Sequence, residues 1–146
     1  MSELTVYRTF EEKQRALIER FSGLKTPEER YHRIIELGEM LDAFPEEMKC
    51  SNKLVKGCQS RMYLHTEKTS EGILLFRADS DALISKGLAA LLLLVYNEET
   101  PEVVIKAQPT FLDQLGIPNS LSPGRANGLY SLRLRMQQEA LRLLNA

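Results

Sequence analysis

Residues 61–78 read RMYLHTEKTSEGILLFRA, and this stretch decides the fold class. Met62, Leu64 and Thr66 alternate with more polar neighbours, which is the period of a strand with one buried face. Residues 68–72 are turn-forming, and residues 73–78 make a second apolar run. The stretch therefore predicts an antiparallel β-hairpin.

Helical patterns lie on both sides of this hairpin. Four helix starts are marked by a capping residue, which proline follows in three cases: Thr9, Thr26, Thr100 and Ser122. The helix that opens at Thr26 is predicted to stop at Pro45. Residues 82–96 are apolar around most of a helical circumference, which is typical of a buried central helix. Its candidate N-caps are Asp79, Ser80 and Asp81.

The order of helices, a small antiparallel sheet and further helices indicates an α+β fold. The chain has 146 residues, which is enough for one domain spanning residues 1–146. Its net charge of −1 argues against a nucleic-acid-binding protein, because such proteins need a basic excess. The longest apolar run, residues 88–96, is far shorter than the roughly 20 residues of a membrane span. We expect a cytoplasmic protein that binds neither nucleic acid nor membrane.

Two cysteines, Cys50 and Cys58, are too few for a four-cysteine zinc or iron–sulfur site within one chain. A disulfide between them is disfavoured in a reducing compartment. Cys58 follows Gly57 and lies between Lys56 and Arg61, whose positive charges favour a thiolate. Cys58 is therefore a candidate reactive thiol, and the alternative is an inert, buried small side chain.

Cys50 follows Glu46 and Glu47 in residues 49–60, which read as a loop. It is either a second thiol that resolves chemistry at Cys58 or a bystander. A metal or cluster site is a further alternative, built from Cys50, Cys58 and His65 with Asp79 or Asp81. A stand-alone Cys–His enzyme would need a third group that orients the histidine.

Charge is unevenly distributed along the chain. Residues 36–49 are mainly acidic, whereas residues 51–68 and 125–146 are mainly basic. The pattern is consistent either with solvated helix faces or with a docking surface for an acidic partner. In the second case Lys53, Lys56, Arg61 and Arg125 surround the cysteine loop.

Four blocks in this order resemble the SufE/CsdE family of sulfur-acceptor proteins. They are YHRIIELG at residues 31–38, KLVKGCQS at 53–60, ADSDA at 78–82 with KGL at 86–88, and LSPGRANGL at 121–129. Tyr63 stands where the family often has tryptophan. Together the blocks span most of the chain between residues 25 and 145.

The resemblance implies an α+β fold similar to SufE and IscU-type proteins. It implies that Cys58 accepts persulfide sulfur from a pyridoxal-phosphate cysteine desulfurase of the SufS or CsdA type, stimulates that enzyme, and passes the sulfur to an iron–sulfur scaffold such as SufBCD. Such a protein is a carrier rather than a stand-alone enzyme and needs no cofactor or metal. The motif residues expected to support Cys58 or bind the partner are Lys56, Gly57, Gln59, Ser60, Arg61, Asp79, Asp81 and Arg125.

A persulfide is easily lost or over-oxidised. We therefore expect Cys58 to be sheltered in the free protein and to swing out when the desulfurase docks.

Overall fold

The computed structural model of the chain describes residues 7–146. Its helices are α1 (Arg8–Phe21), α2 (Pro27–Glu39), α3 (Leu83–Tyr96), α4 (Pro101–Lys106), α5 (Phe111–Gln114), α6 (Ile117–Ser120) and α7 (Pro123–Leu143). The strands are β1 (Met62–Lys68) and β2 (Leu74–Ser80), and two short 3-10 turns, Glu46–Met48 and Ser51–Lys53, precede them. This arrangement confirms the α+β class.

The two strands form the predicted antiparallel hairpin, with Met62 opposite Ser80 and Lys68 opposite Leu74. Met62, Leu64 and Thr66 are buried, as their alternation indicates. The strand β2 continues beyond its predicted end to Ser80. The hairpin therefore brings residues 79–81 beside residues 60–62, where the candidate site lies.

The prediction that Asp79, Ser80 or Asp81 caps the central helix is wrong. The N-cap of α3 is Ala82, which has no side chain for the role. Asp79 and Ser80 belong to β2, and the Asp79 carboxylate is occupied by two lysines. Tertiary pairing thus overrides the local capping preference of these residues.

Three of the four predicted caps are confirmed. The side chains of Thr26, Thr100 and Ser122 accept hydrogen bonds from main-chain amides in the first turns of α2, α4 and α7. The cap at Thr9 is wrong, because Thr9 lies inside α1 and its hydroxyl donates to the Glu99 carboxylate at 2.9 Å. The helix α2 also ends earlier than predicted, at Glu39 rather than at Pro45.

The helix α3 is the centre of the core and contacts α1, α2, α7 and β2. Its residues from Gly87 onward are almost all buried. The crossing with α2 is very close, since a Cβ on Gly87 would lie 2.2 Å from the carbonyl oxygen of Ile34. At the end of α3, the Tyr96 hydroxyl donates to the Ala107 carbonyl, and the Arg133 guanidinium stacks 4.3 Å from the Tyr96 ring centroid.

Between residues 7 and 146, no helix is long and apolar enough to cross a lipid bilayer.

Candidate functional site

The cysteine motif forms a short loop whose base is closed by main-chain pairing. The Val55 amide donates to the Met62 carbonyl at 2.8 Å, and Leu54 forms an isolated antiparallel bridge with Tyr63. Val55 is itself buried. Residues 56–61, called the Cys58 loop from here on, therefore project from a fixed base with Cys58 in the middle.

The Cys58 loop lies on small residues of α7. A Cβ on Gly57 would be 2.4 Å from the Ser131 hydroxyl, and one on Gly124 would be 2.0 Å from the Gln59 side chain. One on Gly128 would be 3.6 Å from the Cys58 sulfur. The loop thus runs antiparallel to the helix, with residues 57, 58 and 59 over residues 131, 128 and 124.

Gly57 is required here for two reasons. Its φ is +92°, in the left-handed region that glycine favours, and its Cα lies against Ser131. The positive φ at Gly57 lets the chain turn into the Cys58 loop.

The Cys58 thiol is half-buried and donates to the Gly128 carbonyl at 3.6 Å. Burial raises the pKa of the Cys58 thiol, because the low-dielectric surroundings disfavour the thiolate. The expectation that Lys56 and Arg61 favour the thiolate is therefore wrong for this conformation, since their charges do not offset the burial. In the closed loop Cys58 is a protonated, sheltered thiol at neutral pH.

A cavity of about 250 Å³ opens beside Cys58. It is lined by polar groups of the loop and of α3 together with apolar core residues, among them Ser60, Met62, Ser85, Leu88 and Leu129. Arg125 also lines it. The cavity gives a small group attached to Cys58 a place that is partly shielded from solvent.

The far end of the Cys58 loop is held to the end of β2. The Arg61 amide donates to the Asp81 carboxylate at 2.9 Å, and the Asp81 amide donates to the Arg61 carbonyl at 3.3 Å. The Ser80 hydroxyl donates to the Ser60 hydroxyl at 3.2 Å. Two predicted site residues therefore take part in these contacts. Asp81 binds Arg61 and Ser60 accepts from Ser80, where the loop meets β1.

Asp79 is the centre of an ion cluster. Its carboxylate lies 3.0 Å from the Lys49 ammonium and 3.4 Å from that of Lys86, and it accepts the Ser80 amide at 2.9 Å. Burial alone would raise the pKa of Asp79, but these bonds and charges outweigh it and lower the pKa. The cluster ties the segment before the loop to β2 and α3. The two lysines are not evident from sequence, because the pairs are distant along the chain.

The positively charged side chains around the loop face solvent. Lys56, Arg61 and Arg125 are exposed, as is Gln59 beside them. The main-chain amide of Arg125 is bound to its N-cap Ser122. Three of the four cations predicted for a docking surface are thus exposed, whereas the fourth, Lys53, is half-buried.

Arg135 is a site residue that sequence reasoning missed. Its guanidinium donates to the carbonyls of Asn52 and Leu54, just before the Cys58 loop. The signal available in the sequence was its helical spacing from Gly124, Gly128 and Ser131, which places all four residues on one face of α7.

Cys50 lies outside the loop and is exposed, with its thiol 2.8 Å from the Asn52 side-chain oxygen. Both cysteines are free. His65 is paired with Glu67 at 2.8 Å. No group of three or more His, Cys, Asp or Glu side chains within residues 7–146 is arranged to hold a metal ion. The positions of Cys50, Cys58 and His65 therefore give the metal-site alternative no support.

The fold and the site define a small α+β domain that presents one sheltered thiol on a short loop. Residues 15–140 match the SufE family, described as an Fe-S metabolism associated domain. The chain belongs to the SufE family, and with it to Fe–S metabolism.

A curated relative supports this assignment, and a solved structure shares the fold. The chain is 36% identical over 125 residues to an uncharacterized SufE-like protein of Synechocystis sp. (strain ATCC 27184 / PCC 6803 / Kazusa), covering 86% of this chain and 78% of that protein. The solution structure of a hypothetical protein from Thermus thermophilus has a TM-score of 0.74 to this fold at 24% identity, covering 92% of this chain and 97% of that one. The second comparison shows the fold alone.

Proposed function

We propose that this protein carries sulfur for iron–sulfur cluster assembly, with Cys58 as the acceptor. Cys58 takes the outer sulfur of a persulfide on a cysteine desulfurase and later passes it to a cluster scaffold. The observation that carries the proposal is the half-buried thiol of Cys58, seated on Gly128 beside a cavity and in the middle of a loop with a closed base.

The transfer is an exchange at sulfur and needs no cofactor in this chain. The Cys58 thiolate attacks the outer sulfur of the donor persulfide, so that a new S–S bond forms at Cys58 while the donor S–S bond breaks. The bonding pair leaves with the donor cysteine as a thiolate, and the proton lost by Cys58 is available to it. No net oxidation or reduction occurs.

The loop geometry suits delivery of the thiol into another protein. Residues 56–61 span the closed base formed by Val55 and Met62. Three extended steps along the chain join Val55 to Cys58 and four join Cys58 to Met62, so the shorter side lets Cys58 move roughly 10 Å from that base. The Cys58 loop can thus reach outward while its base stays paired to β1.

The protonation state of Cys58 fits a carrier that is inactive when alone. Burial raises the pKa of the thiol in the closed loop. When docking lifts Cys58 away from α7, that burial is lost and the pKa returns toward its ordinary value. The reactive thiolate therefore forms where the donor persulfide is.

The exposed cations Lys56, Arg61 and Arg125 provide a docking surface for an acidic partner. The partner we propose is a desulfurase of the SufS or CsdA type, and the downstream acceptor is a scaffold such as SufBCD. We place this exchange in the cytoplasm, where a thiol carrier stays reduced.

Stimulation of the desulfurase tests the proposal. Alanine formation from cysteine is measured with a SufS-type enzyme alone and with wild-type protein, Cys58→Ser or Cys50→Ser. We expect the wild type and Cys50→Ser to raise turnover and Cys58→Ser to leave it at the basal rate. Equal stimulation by Cys58→Ser would contradict the proposal, and iron–sulfur absorbance retained on the purified protein would favour a scaffold instead.

A further inference from the structure

Arg135 supplies two charge-assisted hydrogen bonds to the chain that leads into the Cys58 loop. One goes to the Leu54 carbonyl at 3.1 Å and the other to the Asn52 carbonyl, in the 3-10 turn Ser51–Lys53. Within residues 7–146, both of its side-chain hydrogen bonds go to main-chain oxygens. A guanidinium that binds two carbonyls with its planar donor array fixes their relative position better than a single donor would.

The same face of α7 contacts the loop in two chemically different ways. Gly124, Gly128 and Ser131 offer small surfaces on which residues 57–59 rest by close packing and one weak thiol hydrogen bond. One helical turn further on, Arg135 binds the segment before the loop through an ionised donor. Hydrogen bonds from charged groups are roughly twice as strong as neutral ones. The apex of the loop is therefore held weakly, whereas its base is held firmly.

We infer that Arg135 is a positioning residue that keeps Cys58 packed against Gly128 of α7 by fixing residues 52–54. Docking of the partner then lifts only the apex of the loop. The inference rests on the proposed function and assigns this role to a residue outside the cysteine motif. Without Arg135, residues 52–54 are no longer tied to α7. The closed conformation, with Cys58 packed on α7, and the open one, with Cys58 exposed, then become closer in free energy. A sheltered thiol then becomes an exposed one before any partner arrives.

The experiment measures the alkylation rate of Cys58 by iodoacetamide in a Cys50→Ser background, followed by intact mass and without desulfurase. The variants are Arg135→Gln, Arg135→Lys and, as the matched control, Arg142→Gln. Arg142 also lies on α7, where it pairs with Glu139 near the end of the helix. We expect Arg135→Gln to raise the rate by about ten- to a hundredfold, because losing one bond from a charged donor disfavours the closed form by about tenfold and losing both by about a hundredfold. Arg135→Lys, which keeps the charge but not the two-pronged geometry, is expected to lie between Arg135→Gln and the wild type.

Local hydrogen exchange separates positioning from general loss of stability. In Arg135→Gln we expect faster exchange of amides in residues 52–60 and unchanged exchange in α3. Equal alkylation rates for Arg135→Gln and Arg142→Gln would overturn the inference, and so would a uniform rise of exchange across the protein.

Failure of this inference is distinguishable from failure of the proposed function. The alkylation and exchange measurements use the free protein and need no sulfur transfer. If wild-type protein fails to stimulate a desulfurase, the proposed function falls whatever Arg135 does. If stimulation is found and Arg135→Gln behaves like the control, only the role of Arg135 is wrong.

Discussion

The thiol of Cys58 and the carbonyl oxygen of Gly128 lie 3.6 Å apart, across the boundary between a loop and a helix that are distant in the sequence. This contact closes the Cys58 loop onto α7. It also buries the thiol, which raises its pKa. Shelter and low reactivity thus have one structural cause.

The first prediction concerns Gly57. Gly57→Ala places a Cβ 2.4 Å from the Ser131 hydroxyl at a residue whose φ is +92°. We expect a loss of about 1–3 kcal/mol in the free energy of unfolding and faster alkylation of Cys58, because the loop can no longer rest on α7. Gly72→Ala is the matched control, since Gly72 has a φ of +86° with no atom within 4 Å of the added Cβ. It should share the backbone strain and leave alkylation unchanged; equal alkylation in both variants would refute the assigned contact.

The second prediction concerns the crossing of α2 and α3. Gly87→Ala would put a Cβ 2.2 Å from the Ile34 carbonyl, so the helices must move apart. We expect a loss of about 1–3 kcal/mol, typical of overpacking, in urea unfolding. Gly23→Ala, with no atom within 4 Å of its Cβ, should change stability little. Wild-type stability in Gly87→Ala would show that the helices are not packed this closely.

The third prediction is a pH dependence at Asp79. Burial opposes the charged form of Asp79, but Lys49, the Ser80 amide and Lys86 outweigh it and lower the pKa in the folded protein. A carboxylate whose pKa is lowered by folding stabilises the fold above its unfolded pKa of about 3.9. That stabilisation is lost as the pH falls through the folded pKa. Asp79→Asn should therefore be less stable than the wild type at pH 7 in urea unfolding, with the gap narrowing in acid; a gap that stays constant with pH would count against the ion cluster.

The fourth prediction tests the docking surface. Lys56→Glu and Arg125→Glu reverse exposed charges beside the Cys58 loop. Each should weaken desulfurase binding by about tenfold at low salt and less at high salt, because exposed charges are screened. Isothermal titration calorimetry measures the affinity, with Arg15→Glu on the exposed face of α1 as the control. Unchanged affinity in both loop variants would leave these cations as ordinary solvated residues.

Local patterns in the sequence predict much of the fold. The alternation of Met62, Leu64 and Thr66 is a short-range signal, and the hairpin confirms it. The Thr26 cap is equally local. The prediction that Asp79 caps the central helix fails for a tertiary reason, because its carboxylate forms ion pairs with lysines on two other segments.

The sequence predicts which residues form the candidate site, but it does not predict the pKa of its cysteine. The cysteine motif is visible from residue types, whereas the burial that raises the pKa of Cys58 depends on a helix some 70 residues away. Because this burial determines the pKa, the charges of Lys56 and Arg61, which lie near Cys58 in the sequence, do not set the protonation of the thiol. The role of Arg135 depends on which face of α7 meets the loop, and sequence periodicity alone leaves that face unassigned.

The most direct test of sulfur transfer to Cys58 is to find the sulfur atom. The protein is incubated with a cysteine desulfurase and cysteine without reductant, then alkylated and digested, and the peptides carrying Cys50 and Cys58 are read by mass spectrometry. We predict one extra sulfur on the Cys58 peptide, none on the Cys50 peptide, and none anywhere in Cys58→Ser. A sulfur found on Cys50, or on neither cysteine while the desulfurase is turning over, would contradict the role of Cys58 as acceptor.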